Sequence, residues 1–414
     1  MTRQLITGNG AAAWGARLAQ MDYVPAFPIT PQTEIIETLG AWMDRGEMPG
    51  RLVTFESEHS MITAAGSAAA TGVRVFTATS SQGLLYAMEM IYTVAGWRAP
   101  FVLVNVSRGL ATPLTLEPDH NDVLATRDSG FLQIHCATCQ EVLDHILIAY
   151  RLAEDHNVRL PVIVNLDGFY LSFTREPVEI PDAQQAAAFV GPYRSDDLRL
   201  RASAPESQAV AVLGGGPYSY FRYETHLAAL KGAEVYTQLG AEFGARFGRS
   251  YAPVQCYRCD DAELVFVMLG SFATKAQAAV DQLRETGLRI GLARPRLLRP
   301  FPAAALQSAL ADKHAVAVID QNISMGSGGV LYTELAGALY GRKNAPPIIA
   351  SYVGALGGRD ITPEEFFEIA HELQQAVVNG TPPPPRLLYT QHELREVRKL
   401  QAIAHVERHE LKRS

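Results

Sequence analysis

From Gln4 onward, short β-branched apolar runs alternate with longer stretches of helical periodicity, and few architectures accommodate that rhythm. Strands are expected over Gln4–Thr7, Val24–Phe27, Leu52–Phe55, Val73–Thr79, Phe101–Val106 and Pro161–Leu166. Between them the periodicity predicts helices over Ala11–Met21, Thr33–Arg45, Met61–Gly72, Leu84–Ala95 and Glu141–Asn157. Such alternation predicts a mostly parallel, doubly wound α/β sheet whose working residues sit beyond the C-terminal ends of the strands. Three loops fall there: Pro28–Pro31, Ser80–Gly83 and Ser107–His120.

The second half repeats the rhythm on a smaller scale. A polar, irregular excursion over Glu179–Ser207 reads as a linker, and Val210–Arg246 reads as a further βα segment. A second alternation then begins at Glu263: strands Leu264–Leu269, Ile290–Ala293, Ala315–Asp320 and Ile348–Tyr352, helices Thr274–Thr286 and Ala303–Ala311, and a glycine loop at Met325–Gly329 leading into a helix to Tyr340. Pro382–Pro385 is a stiff spacer. Beyond it, Leu394, Val397, Leu400, Ile403 and Val406 recur at helical spacing on a charged segment, an amphipathic tail suited to docking on a partner chain. The expected units are therefore residues 1–255, 256–378 and 379–414.

A formal net charge of -7 with no long basic stretch argues against nucleic acid as the main partner. No apolar run reaches the length of a membrane span, and Met1–Gly8 lacks the features of a signal peptide, so a cytoplasmic protein is expected. The four cysteines form two pairs, Cys136/Cys139 and Cys256/Cys259, without the dense spacing of a ferredoxin or a zinc ribbon; reduced structural thiols are the expectation, with a metal or disulfide linking the pairs as the alternative. Gly8-Asn9-Gly10 superficially suggests a dinucleotide loop, but its third glycine falls at Gly15, two positions late. At Gly214-Gly215-Gly216-Pro217 the proline is expected to block the helix that such a loop requires.

The stretch Val53–Gly83 draws most attention. A short strand ends in Glu56-Ser57-Glu58, a helix of Ala, Gly, Ser and Thr follows, and a β-branched strand returns to Ser80-Ser81-Gln82-Gly83. The small residues allow that helix to pack very close to its neighbours. A carboxylate at a strand–helix junction is costly to desolvate and calls for a partner. It also suits the positive end of a helix dipole, so a merely structural role for Glu56 and Glu58 stays open at this point.

Phe27-Pro28-Ile29-Thr30-Pro31, Glu56-Ser57-Glu58, Ser81-Gln82-Gly83-Leu84, Ser107-Arg108-Gly109 and Asp119-His120-Asn121-Asp122 occur in one order. Arg294-Pro295-Arg296, Arg299-Pro300-Phe301-Pro302 and Gly357-Gly358-Arg359-Asp360 follow later. In that order they resemble the α subunit of the 2-oxoacid:ferredoxin oxidoreductases, the pyruvate:ferredoxin oxidoreductase family, and the likeness runs from Leu5 to Gln375. It implies a thiamine-diphosphate pyrimidine-binding-type domain over 1–255 and a transketolase C-terminal-like domain over 256–378. It also implies a CoA-acylating, oxidatively decarboxylating 2-oxoacid oxidoreductase that passes electrons to ferredoxin or NAD.

By the same resemblance Glu58 is the catalytic glutamate that hydrogen-bonds the cofactor's pyrimidine nitrogen, favouring the imino tautomer that takes the thiazolium proton. Thr30 and Arg108 match the residues that hold the 2-oxoacid. Phe27 replaces the family's usual tyrosine, Gly10 its usual glutamate, and the loop Ala111–Pro118 differs from the pyruvate enzymes. Pyruvate and an aryl 2-oxoacid such as phenylglyoxylate, the substrate of one branch, are both compatible with this. Thr30 speaks against the oxalate branch, which carries arginine there.

The chain carries no Gly-Asp-Gly motif for the Mg²⁺ that anchors the diphosphate; the nearest string is Leu166-Asp167-Gly168. It carries no ferredoxin-type cysteine run either. A β-type partner is therefore expected to supply the diphosphate site with its Mg²⁺, while γ-type and ferredoxin-like δ-type partners complete the complex with [4Fe-4S] clusters and much of the CoA site. A self-sufficient transketolase-like enzyme and a noncatalytic scaffold subunit are the alternative readings.

Overall fold

The computed structural model describes residues 2–193 and 200–411. Residues 194–199 of the expected excursion and 412–414 of the tail lie outside the described residues.

Two α/β units stand on two sheets. The first sheet orders its strands Leu297–Arg299, Leu132–His135, Val162–Asp167, Val102–Ser107 and Phe76–Thr79, parallel except for Leu297–Arg299. A bridge from Val75 to Tyr23 continues it into the parallel pair Tyr23–Ala26 and Arg51–Thr54. Its central strands are buried along their whole length, as the near-continuous apolar runs VLVNVS and VIVNLD require. The second sheet orders Arg386–Leu387, Ile348–Val353, Ala315–Asp320, Leu264–Val267, Ile290–Pro295 and Val254–Tyr257, the last antiparallel. The segment Ile290–Arg299 crosses from one sheet to the other and so ties the units together. Among the described residues, no helix is long and apolar enough to cross a membrane.

The small-residue helix packs as its composition demands. It spans Glu58–Ala70, and a Cβ at Gly66 would collide with Val94 on the neighbouring helix Met88–Gly96. It begins earlier than the expected Met61, because the Ser57 side chain accepts the Ser60 N–H at 3.2 Å. Glu58 therefore sits in the first helical turn rather than in a turn before it.

Several expectations are corrected. Val210–Arg246 holds no strand among the described residues; Gly215–Phe247 is one long helix, and Val212 and Leu213 ahead of it are 83% and 87% exposed, without a sheet edge to pair with. Pro217 does not block that helix, since it stands in the first turn, where its missing N–H has no intrahelical partner. The excursion after Glu179 contains the end of strand Arg175–Ile180, paired antiparallel to Thr2–Thr7, and the helix Ala183–Val190 capped by Asp182. The expected helix Leu84–Ala95 is two, Ser81–Tyr86 and Met88–Gly96. Strand Leu132–His135 escapes a pattern reading because its alternate residues Gln133 and His135 are polar yet fully buried.

Both members of Cys136/Cys139 are buried, as structural thiols are; in the second pair Cys256 is exposed. Among the described residues, no group of three or more His, Cys, Asp or Glu side chains is placed to hold a metal ion.

Candidate cofactor and substrate site

The three loops singled out in the sequence meet at the C-terminal ends of the first sheet. Glu58 is 5% exposed, and burial pushes its pKa up, opposed by its own backbone N–H. Among the described residues it has no ionic partner. A Cβ at Gly83 would collide with this carboxylate and stand 2.7 Å from Thr79 Oγ1, so only glycine leaves room beside it. Thr79 Oγ1, Ser80 Oγ and Gln82 Nε2 are buried without hydrogen-bond partners. Buried polar atoms are nearly always paired, so such a cluster beside an unpaired carboxylate is the signature of a ligand site. It suits a flat heterocycle that presents both donors and acceptors.

Arg108 is held from both sides. Arg108 Nη1 donates to the Thr30 carbonyl at 2.7 Å and Nη2 to Gln82 Oε1 at 3.0 Å, while Nε is buried and unpartnered. Burial lowers its pKa, with Asp122 opposing. Thr30 meets Arg108 through its main-chain oxygen, and Thr30 itself is exposed. Glu58 and Arg108 are joined through one short segment: Gln82 contacts Arg108 and Gly83 flanks Glu58. Thr30, Glu58 and Arg108 are thus brought together around Gln82 and Gly83.

Asp122 fixes this arrangement, and the sequence reading gave it no role. Fully buried, it accepts hydrogen bonds from the N–H of Ser81 (3.0 Å), Arg108 (3.2 Å) and Val123 (2.6 Å), and from Asn105 Nδ2 (3.2 Å) and Ser107 Oγ (2.8 Å). It thereby clamps the loop that carries Gln82 to the loop that carries Arg108. The signal was present in the strand endings Asn105-Val106-Ser107 and Asn165-Leu166-Asp167, whose polar residues pair across adjacent strands.

Two residues before Asp122, His120 reaches toward the second unit. His120 Nε2 meets Asp167 Oδ1 at 2.7 Å, and Asp167 Oδ2 accepts from the Ser271 N–H at 2.8 Å and from Ser271 Oγ. Burial would lower the His120 pKa, but Asp167 overrides it and the net shift is upward; Asp167 is held down by the same partnership against its own burial. Both Asp167 oxygens are committed, so the string nearest to a diphosphate motif offers no free carboxylate to a metal ion. Asn9 of the glycine-rich start donates to the Pro31 carbonyl at 2.9 Å and buttresses the Thr30 loop.

Comparison with known proteins agrees with this geometry. The family description "pyruvate flavodoxin/ferredoxin oxidoreductase, thiamine diP-bdg" matches residues 14–238, and "pyruvate:ferredoxin oxidoreductase core domain II" matches residues 262–366. The pyruvate synthase subunit PorA of Methanothermobacter thermautotrophicus is 40% identical over 374 residues, 90% of this chain and 96% of that one. The ketoisovalerate oxidoreductase subunit VorA of Pyrococcus horikoshii is 38% identical over 380 residues, 91% of this chain and 95% of that one. Among solved structures, 2-oxoglutarate:ferredoxin oxidoreductase from Magnetococcus marinus shares the fold, with a TM-score of 0.68 at 19% identity over 91% of this chain. The present chain spans 65% of that longer one. The chain belongs to the pyruvate flavodoxin/ferredoxin oxidoreductase family, thiamine-diphosphate-dependent enzymes acting on 2-oxoacids, and corresponds to its α-type subunit.

Proposed function

We propose that this chain forms the aminopyrimidine side of a thiamine diphosphate site shared with a β-type subunit, with Glu58 as the catalytic acid–base group and Thr30 and Arg108 as the holders of the 2-oxoacid. The observation that carries this reading is the buried, unpaired Glu58 carboxylate beside Gly83 and a set of unpartnered polar atoms. When bound, thiamine diphosphate supplies the nucleophilic carbon needed to decarboxylate a 2-oxoacid. Glu58 holds a proton against the pyrimidine nitrogen, and its raised pKa brings that exchange closer to the working pH. Arg108 receives the substrate carboxylate through guanidinium N–H donors that its contacts to Thr30 and Gln82 leave free. Asp122 keeps the two loops in register while this happens.

The substrate is a 2-oxoacid with an alkyl or aryl side chain: relatives are named for pyruvate and ketoisovalerate, and the loop Ala111–Pro118 leaves phenylglyoxylate compatible. The products are acyl-CoA and CO₂, and electrons leave through [4Fe-4S] clusters on partner subunits to ferredoxin or an NAD-reducing subunit. Mg²⁺ and the diphosphate belong to the partner, a division supported by the commitment of Asp167 elsewhere. We divide the chain into residues 1–255, 256–378 and 379–414 and place the protein in the cytoplasm. Val397, Leu400, Ile403 and Val406, all exposed on the tail helix, support its docking on a partner chain.

Calorimetry on the purified chain, with and without Mg²⁺ and with and without its β-type partner, tests the shared site. Weak cofactor binding and no turnover by the chain alone, with both gained in the complex, are expected. Tight Mg²⁺-dependent binding by the chain alone would overturn the division.

A further inference from the structure

The two CxxC pairs lie outside the site above, and they differ in kind. Cys136 and Cys139 are both buried, and burial drives both thiols well above their ordinary pKa, with Glu141 and Glu176 respectively adding to the effect. Cys139 Sγ is occupied by the carbonyls of Thr174 at 3.5 Å and Leu171 at 3.9 Å. Such thiols are chemically quiet.

Cys256 and Cys259 occupy the end of the edge strand Val254–Tyr257 and the turn after it, where Arg258 adopts a left-handed conformation. Cys256 is exposed and Cys259 is buried, with Cys259 Sγ 3.3 Å from the Leu292 carbonyl. Lys313 Nζ pins the turn by donating to the Cys259 carbonyl at 2.7 Å. The neighbouring Cys259, helped by Lys313 and Arg296 and opposed by burial and Asp260, brings the Cys256 thiol down to about 7, while Cys256 and burial raise Cys259. The result is one exposed, acidified thiol and, three residues on in the same turn, one buried thiol held in its protonated form.

We propose that Cys256 and Cys259 are a peroxide-oxidisable dithiol, with Cys256 as the attacking sulfur and Cys259 as the resolving one. The Cys256 thiolate attacks a hydroperoxide oxygen: an S–O bond forms, the O–O bond breaks, and the departing oxygen takes a proton to leave as water or an alcohol. Cys259 then attacks the Cys256 sulfur, forming S–S and breaking S–O, and the hydroxide leaves with the Cys259 proton as water. Two electrons and two protons pass from the dithiol to the peroxide. The edge strand is antiparallel to Ile290–Pro295, the segment whose Arg294 reaches the first unit, so the oxidation would register where the two units are tied together.

The test uses the full-length chain in its purified complex, prepared without oxygen and exposed to one equivalent of hydrogen peroxide, with peptide mapping of the thiols. We expect a Cys256–Cys259 disulfide that dithiothreitol reverses, while Cys136 and Cys139 stay reduced. Before oxidation, Cys256 should react with iodoacetamide at pH 7 about fivefold faster than a cysteine in an unstructured peptide, the net of its larger thiolate fraction and lower intrinsic nucleophilicity. Cys259→Ser should leave a dimedone-reactive sulfenic acid on Cys256. Ordinary alkylation rates at Cys256, or wild-type protein that keeps both thiols or passes to sulfinic acid without a disulfide, would overturn the proposal, and both readouts come from the unaltered chain.

Discussion

Glu58 and Glu141 make a near-matched pair. Each stands in the first turn of a helix after a hydroxyl N-cap, Ser57 or Thr138, and they are 5% and 6% exposed. Their carboxyls move in opposite directions. Among the described residues Glu58 has no counter-ion and burial pushes it up, whereas Glu141 is drawn far down, against its own burial, by Arg294 and Arg296. Glu141 Oε1 accepts from Arg294 Nη2 at 2.5 Å and Arg296 Nε at 2.9 Å, and Oε2 accepts from the Ala137 N–H at 2.8 Å. Helix position and burial alone therefore say little about role. A carboxylate whose partners are all supplied by the fold belongs to the structure; one desolvated without partners is held ready for something the fold does not contain.

The sharpest way to break this contrast is Glu141→Gln. It leaves two buried guanidiniums without their shared carboxylate, and a loss of about 3–5 kcal/mol in folding stability is expected from denaturant titration. The pH dependence has a definite sign. Because the folded-state pKa of Glu141 is depressed, its contribution is complete above its unfolded value of about 4.3 and disappears as pH falls through the folded value. The wild-type advantage over Glu141→Gln should thus be full at neutral pH and shrink in acid below that range. An advantage that grew on acidification would refute the assignment.

Glu58→Gln should do the reverse. Stability should hold or rise slightly, since a neutral amide costs less to bury than an unpaired carboxylate. Turnover of the assembled complex should fall about a hundredfold or more, roughly 2.7 kcal/mol in activation free energy. Near-normal turnover would remove Glu58 from the chemistry.

Arg108→Lys is the smallest of the three. Lysine keeps the charge and loses the planar fork, so KM for the 2-oxoacid should rise about tenfold while thiamine diphosphate content is unchanged. A fall in cofactor content with constant KM would move Arg108 into the cofactor site or the scaffold.

The sequence by itself determined the alternation of strands and helices, hence parallel sheets with loops gathered at their C-terminal ends. It also placed Thr30 and Arg108 on two such loops and Glu58 at a strand–helix junction. Those features are legible because period-2 and period-3.6 patterns, small residues and turn glycines act over a few neighbours. The small residues around Gly66 announced the close helix contact with Val94, for example.

Only the tertiary structure decided which polar groups found partners. Glu141 meets Arg294 and Arg296 across 153 and 155 residues of sequence, His120 finds Asp167 and Ser271, and Asp122 clamps two loops; polar strand endings hint at the last, but no local pattern names the partners. The same holds for the two CxxC pairs, alike in sequence and opposite in exposure. Desolvation and ion pairing depend on which side chains packing brings within a few ångströms, and that is a property of the folded chain as a whole.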